Sequence, residues 1–550
     1  MENSRYYGAP TRRDWKMTKM VLDPDRHFTT FEAGKLVPLY AYTDILPGEE
    51  YEIDLDFLVR SLTPIHPVMD SAYLDGRAFF VPHRIEWEKW ENFVGANPTG
   101  YWVDPNTYTI PQVQAGENGF LPGSVADYMR IPTKVAGVKA NALAFRAYVD
   151  VFNNWYRSTD VDSPGARPVN STGTTSPTVL GDPVTEAYKG GALFDVCRLP
   201  DYFSTATPQP IRSLSPVSIT FPDAPVVSAG LEEVQGTRMN WSKSDDLPLT
   251  GNNSVTVGKQ GTGSGSSGRT FINGEVEASE DNAEIFAHLK ADLSAVAFNV
   301  DEMRFAIQYY RLLQRDLYGS RYKSLILNHF GTNLPDSTAQ IPQYIGGNRY
   351  KLNQQQVAQT SATGDGTPLG NLGAFSLTRS GTMKKWRVAC PEWGTLLVVA
   401  CVRVVHSYQQ GLHPQWSRQS RIDLFWPPFG QLGAQPIYKR ELKAEGSALG
   451  SHDLDVFGYK EAWDEYRTSF SGCSGMMRSN VDDSLDVYHY SDYYEEVPSL
   501  STSWLHEGSN EIKRTLAVQS GDSFFGEFVL NVTKTTPVPA HSEGKFMDHF

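Results

Sequence analysis

The run Thr395–Val405, TLLVVACVRVV, constrains the fold more than any other segment. It is nearly all apolar and rich in β-branched residues, which suits a strand covered on both faces. A chain holding such a strand needs a sheet with material packed against each side. Tyr51–Arg60 carries a complementary pattern. Tyr51, Ile53, Leu55, Phe57 and Val59 alternate with Glu52, Asp54, Asp56, Leu58 and Arg60, so one face is apolar and the other polar except at Leu58. The turn Leu46-Pro47-Gly48 precedes it. Tyr73–Val81, closed by Pro82, and Phe524–Thr533, followed by Pro537 and Pro539, read as two further strands. Strands near both ends of the chain must pair over long sequence separations. That predicts a Greek-key or jelly-roll sandwich.

A chain of 550 residues would normally divide into about two to four domains. The composition points instead to one elaborated all-β domain with long insertions. Aromatics are 12%, Gly 46, Pro 34 and charged residues only 20%, the profile of a turn-rich β protein. A few helices belong in the connections. Asn299-Val-Asp-Glu302 resembles a capping box opening a helix, with Ala306, Tyr310, Leu313 and Leu317 on one stripe and Gly319 as its stop. Ala140–Trp155 is a second helix, with Leu143, Ala147, Val151 and Trp155 aligned. Ile85–Val94 is a short third one, with Trp87, Trp90 and Val94 on a face.

Two segments depart from this pattern. Between Thr250 and Thr270, Gly, Ser and Thr make up 14 of 21 residues, so a mobile loop without a core is expected. Its flanks are also polar, and residues 215–284 read as one insertion projecting from the sandwich. Val255, Lys259, Gly263, Gly268 and Arg269 mark the tip. The first residues, 1–26, form a basic arm in a chain whose net charge is −14. Arg5, Arg12, Arg13, Lys16 and Lys19 outnumber Glu2 and Asp14 within the first 20 residues. Such an arm can touch phosphates, or be a solvated tail.

Chemistry-bearing motifs are absent. Gly263-Ser-Gly265-Ser-Ser-Gly268 fits a dinucleotide fingerprint in letters only, because no strand precedes it and no helix follows. There is no phosphate-binding loop, nucleophile elbow or zinc-protease motif. Isolated histidines such as His66, His83, His406 and His489 read as satisfied core or interface residues. Cys197, Cys390, Cys401 and Cys473 include no C-x-x-C pair, which argues against a disulfide framework or zinc ribbon and for buried free thiols. No cofactor is expected. Asp482, Asp483, Asp486 and the run Asp492–Glu496 leave two readings open: a solvated or interfacial acidic face, or paired carboxylates of a sandwich glycoside hydrolase or carbohydrate-binding protein. There is no leader-like apolar run and no stretch of the ~18 apolar residues a membrane span needs. The expectation is a cytosolic chain without membrane insertion.

Several segments together carry a more specific signal. They include His27-Phe-Thr-Thr-Phe-Glu-Ala-Gly-Lys-Leu-Val-Pro38, Asp44-Ile-Leu-Pro-Gly-Glu49 and Phe79-Phe-Val-Pro-His-Arg84 near the start. Asn328-His-Phe-Gly331, Pro342-Gln-Tyr-Ile-Gly-Gly347, Tyr408-Gln-Gln-Gly411, Trp416-Ser-Arg418, Val456-Phe-Gly-Tyr459 and Met547-Asp-His549 follow. In this combination the chain resembles the major capsid proteins of the Microviridae, most closely the gokushovirus branch. The match runs over most of the chain and fails across 215–284.

The resemblance implies a single eight-stranded antiparallel jelly roll and no catalytic activity. It implies about 60 copies in a T=1 icosahedral shell around a circular single-stranded DNA genome. It also implies a small basic packaging protein inside, a surface insertion at the three-fold axes that meets a bacterial host receptor, and assembly in the host cytoplasm into a virion. An acidic subunit fits such a shell, since only the inner face meets the genome.

Overall fold

The structure is a computed structural model of the chain. It describes residues 16–96, 104–162, 184, 186–212, 300–358, 372–446 and 451–541, with four short strand segments between 226 and 291. The chain separates into two compact units, residues 1–213 with 313–550, and residues 214–312.

The larger unit is built on two antiparallel sheets. Their strands are β1 (Thr18–Val21), β2 (Asp25–Phe31), β3 (Val37–Ile45), β4 (Glu49–Ser61), β5 (Ala72–Pro82), β6 (Gln343–Lys351), β7 (Asn353–Ala358), β8 (Leu372–Cys390), β9 (Gly394–Val404) and β10 (Phe524–Thr536). The first sheet runs β1-β10-β4-β8-β7, with β2 also pairing on β10. The second runs β6-β5-β9-β3. The chain crosses repeatedly between the sheets, staying in one sheet only from β1 to β2, β5 to β6 and β7 to β8, so many pairings are long-range: Phe524 faces Ser61 on one side and Phe31 on the other.

The alternation read in Tyr51–Arg60 becomes the inner face of β4. Tyr51, Ile53, Leu55, Phe57 and Val59 are buried in the core between the sheets. They meet Phe80, Met383, Leu396, Val398, Phe528 and Leu530 there. Each fully buried large apolar side chain contributes about 1.5–3 kcal/mol. The close approach of β6 to β8 depends on Gly346, where an added Cβ would lie 2.5 Å from the Trp386 ring.

The strand expected to be covered on both faces is β9, and every one of its residues is buried. Leu396, Val398, Ala400 and Val402 point into the inter-sheet core, while Leu397, Val399 and Cys401 point the other way. That second side is covered by helix α1 (Ala142–Val151), which continues as a wider π turn over Phe152–Tyr156. Asn141 caps α1 by accepting from Leu143 N at 2.9 Å. Leu143, Ala147 and Val151 are buried, and Trp155 donates its Nε1–H to Pro342 O at 3.0 Å.

Several local expectations change. The stretch Ile85–Val94 is two short helices, His83–Glu86 and Trp90–Phe93, and Val94 is exposed. Packing of Trp87, Trp90 and Phe93 on one another sets this break. The helix from Val300 ends at Arg315, so Leu317 sits in a following 3-10 turn. Asn299, its expected cap, lies outside the described residues. The expected mobile loop Thr250–Thr270 is in part an antiparallel hairpin, Val255–Gln260 with Arg269–Gly274. Val255, Val257, Phe271 and Ile272 favour strand, and a hairpin satisfies its inner backbone groups without any core. In the same smaller unit Val226–Ser228 pairs with Leu289–Ala291.

Candidate assembly surface

Between Pro414 and Gly433 the chain has neither alternation nor a helical stripe. Pro427-Pro428 removes two backbone donors and bars a central strand. The segment folds as three single 3-10 turns, Pro414–Trp416, Arg421–Asp423 and Pro427–Phe429. Asp423 Oδ2 accepts from Gln419 N at 2.9 Å and Ser420 N at 2.8 Å, and these donors hold its carboxyl below the usual range.

Large apolar side chains stand out from this scaffold. Trp416 is 73% exposed, Ile422 71% and Leu432 57%, and Phe425, Trp426, Phe429 and Tyr466 are exposed as well. The surface is held in place from within. Trp426 donates to Arg421 O at 2.9 Å and Trp463 donates to Phe429 O at 2.8 Å. Arg421 lies 4.7 Å over the Trp426 ring and Arg418 4.4 Å over Tyr466. Arg418 also pairs with Glu465 at 3.1 Å. Trp463 itself has φ +66, a conformation a bulky residue adopts only when its surroundings impose it. A monomer rarely displays so much ordered aromatic surface, and Trp, Tyr and Arg concentrate where protein interfaces are tightest.

A groove of about 690 Å³ runs beneath this segment, with Ile422, Phe429, Leu432 and Trp463 in its wall. Glu441 lies at its base. Burial pushes the Glu441 carboxyl up to about 7, although it accepts from Tyr438 N at 3.0 Å and Tyr202 Oη at 3.3 Å. A second, broader groove of about 1460 Å³ lies on the outer face of the first sheet, where Phe28, Leu58 and Phe525 are exposed beside Arg26, Arg60 and Arg130. Leu58, the one break in the polar side of β4, belongs to it.

The connections that carry the first surface are anchored by a buried ion network. Arg198 meets Asp492 at 2.5 Å, His406 Nδ1 meets the other Asp492 oxygen at 3.1 Å, and His406 Nε2 meets Glu507 at 3.2 Å. Tyr494 donates to Asp492 at 2.9 Å and receives the Trp504 Nε1–H at 3.0 Å. Burial alone would lower His406, but the two carboxylates override it and raise the ring to about 10. Asp492 is held well below the carboxylate range, its burial outweighed by His406 and Arg198. His83 is likewise paired, to Glu86 at 2.7 Å, and His66 stacks on Tyr488 with centroids 4.9 Å apart. The four cysteines are free thiols. Among the described residues, Asp162, Cys197 and His506 form the one group able to hold a metal ion.

The residues singled out from sequence fall only in part within the described residues. Arg5, Arg12 and Arg13, with Gly263 and Gly268, lie outside the described residues. Lys16 is exposed, and Lys19 is exposed on β1. Lys19 adds to the field that keeps Glu52 ionised, which Lys385 dominates from 3.2 Å. Val255 and Lys259 are on one strand of the hairpin and Arg269 on the other. Asp482, Asp483, Glu495 and Glu496 are exposed, while Asp492 is engaged by its cationic partners. The aromatic surface was missed by sequence reasoning, although the density of Trp, Phe and Pro in Leu424–Gly430 is a signal for it.

Among the described residues, no helix is long and apolar enough to cross a membrane. Residues 18–546 match the family of the phage capsid protein (F protein). The chain is 32% identical over 535 residues to capsid protein VP1 of Spiroplasma virus 4, covering 94% of this chain and 93% of that one. It is 33% identical over 518 residues to capsid protein VP1 of Bdellovibrio phage phiMH2K, with 92% of each covered. Capsid protein VP1 of Chlamydia phage 1 is 32% identical over 573 residues, with 94% and 93% covered. All three are gokushovirus-type Microviridae. The chain therefore belongs to this phage capsid protein family: it is a major capsid protein, a structural component of a virion and not an enzyme.

Proposed function

We propose that about 60 copies of this chain close a T=1 icosahedral shell around a circular single-stranded DNA genome. The ordered aromatic surface at Trp416–Leu432 carries the reading, because it presents apolar area that the subunit cannot cover itself. A closed shell needs several distinct contacts per subunit, and the groove at Phe28, Leu58 and Phe525 offers a second. The body of the subunit is an eight-stranded jelly roll. Supporting this are the orders β2-β10-β4-β8 and β3-β9-β5-β6, in which the chain alternates between two four-stranded sets at every step but β5 to β6.

In this reading residues 1–550 form one capsid domain with two appendages. Arg5, Arg12, Arg13, Lys16 and Lys19 line the inner face and meet DNA phosphates, assisted by a small basic packaging protein. Residues 215–284 form the outward insertion that contacts a bacterial receptor. Assembly takes place in the host cytoplasm.

Electron microscopy of the purified protein, treated with DNase before nucleic acid is extracted, tests the reading. Closed icosahedral particles with protected single-stranded DNA are expected. A stable monomer that never assembles would overturn it. Deleting residues 255–268 should leave particles intact while reducing host attachment, and a failure to assemble would remove the insertion from the outer surface.

A further inference from the structure

We propose that Asp162, Cys197 and His506 bind a divalent transition metal ion, with zinc the ion that fits best. The three donors come from three connections far apart in sequence. Asp162 closes the turn that follows the π turn at Phe152–Tyr156. Cys197 and His506 face each other across an isolated antiparallel bridge. All three donor atoms lie within 4.8 Å of one another.

The two distances to Asp162 suit a tetrahedral ion. His506 Nε2 is 3.2 Å from Asp162 Oδ2, and Cys197 Sγ is 3.5 Å from the same oxygen. Zinc bonds of ordinary length predict tetrahedral edges of about 3.3 Å for nitrogen to oxygen and about 3.5 Å for sulfur to oxygen. The donor set is also selective. Thiolate and imidazole favour zinc and its neighbours over magnesium or calcium, which take oxygen ligands. A thiolate and a carboxylate neutralise a divalent charge. Cys197 and His506 are only partly buried, so an ion can enter and water can complete the fourth position.

Two further observations point to a ligand. The Asp162 side chain is only 3% exposed, yet its Oδ1 has no hydrogen-bond partner among the described residues. In a plain triad thiol and imidazole both donate to Oδ2 and Oδ1 is left unsatisfied, whereas with Oδ2 on the ion the water at its fourth position can donate to Oδ1. The donors are also held in place by the chain around them. Ser158 N donates to Asp162 Oδ2 at 3.1 Å, Arg157 to Asp162 O at 2.7 Å, and Arg403 to Cys197 O at 3.2 Å.

Binding is a proton exchange with no redox step. The Cys197 S–H bond breaks, a metal–sulfur bond forms, and the proton leaves to solvent. His506 binds through Nε2 as the neutral ring with its proton on Nδ1. The ion then ties together the exit of α1, the segment at Cys197 and the connection that leads to β10.

Cobalt(II) titration of the purified full chain tests this. One equivalent should bind and give a thiolate-to-cobalt charge-transfer band, which zinc removes by displacement. Cys197→Ser, which keeps a hydroxyl to donate to Asp162, should abolish the band, and Cys473→Ser should leave it unchanged. His506→Gln should weaken cobalt binding at least about tenfold. Zinc should raise the thermal midpoint of the unaltered chain and not that of Cys197→Ser. No band with the folded unaltered chain, or the same band in Cys197→Ser, would overturn the site. Should His506→Gln fail to fold, the Cys197→Ser and Cys473→Ser spectra decide alone.

Discussion

Strand β9 and the segment Pro414–Gly433 lie close together in the chain and are both rich in large apolar residues, yet their fates are opposite. Every residue of β9 is buried, whereas Trp416, Ile422 and Leu432 are more than half exposed. The difference lies in residue type rather than hydrophobicity. β-Branched residues without proline pair into a ladder whose two faces other elements can cover. Trp, Phe and paired prolines build turns that hold aromatic rings outward at low ordering cost, a surface suited to another subunit. Apolar content therefore marks what must be covered, and local geometry decides whether the chain or a neighbour covers it.

Substitutions that strike each region separately can break this contrast. The largest effect is expected from Val398→Asp, which places an unpaired charge between the two sheets. It should cost more than about 4 kcal/mol and abolish the soluble folded subunit, read by circular dichroism. His406→Gln should follow, at about 3–5 kcal/mol in chemical denaturation, because Asp492 and Glu507 lose a shared buried cation. His406 is raised in the folded state. Its contribution is therefore full below the unfolded value of 6.5 and fades as pH rises toward about 10, a slope the variant should lack.

Glu441→Gln sharpens the comparison at the base of the aromatic surface. Glu441 is raised from 4.5 to about 7, so its neutral form favours folding at low pH, and stability falls between those values as pH rises. The variant should flatten that fall and gain about 3 kcal/mol at pH 8, seen as a higher thermal midpoint. Trp416→Ala should have the smallest effect on the isolated subunit, within about 0.5 kcal/mol. Its particles should nevertheless assemble poorly in light scattering. An equal loss of monomer stability would return Trp416 to the subunit's own core.

Much of the framework was legible because burial imposes a period. β4, β5, β9 and β10 each carry an apolar face or run, and the helix at Leu143–Val151 carries a stripe. β6 and β8 were not legible, since polar residues such as Asn348, Arg349, Lys385 and Arg387 interrupt them and their pairing comes from neighbours. The hairpin at Val255–Gly274 was hidden by Gly and Ser, which mask strand preference without forbidding it. The sites were least legible. Arg198, His406, Asp492 and Glu507, like Asp162, Cys197 and His506, become partners only through folding, and no local spacing announces them. The histidines were readable as satisfied residues, but their partners were not.

The position of β10 has a consequence for synthesis. It lies between β4 on one side and β1 and β2 on the other, so the first sheet cannot close until Phe524–Thr536 has emerged. At ~5–20 residues per second, β4 waits for β10, the second of its two partners, on the order of tens of seconds. Throughout that interval the nascent chain carries an unsealed edge and an open apolar face. Crowded ribosomes on one message would bring such edges together, so spacing between ribosomes, or a chaperone that shields the half-sandwich, should govern how much of the translated protein reaches the shell.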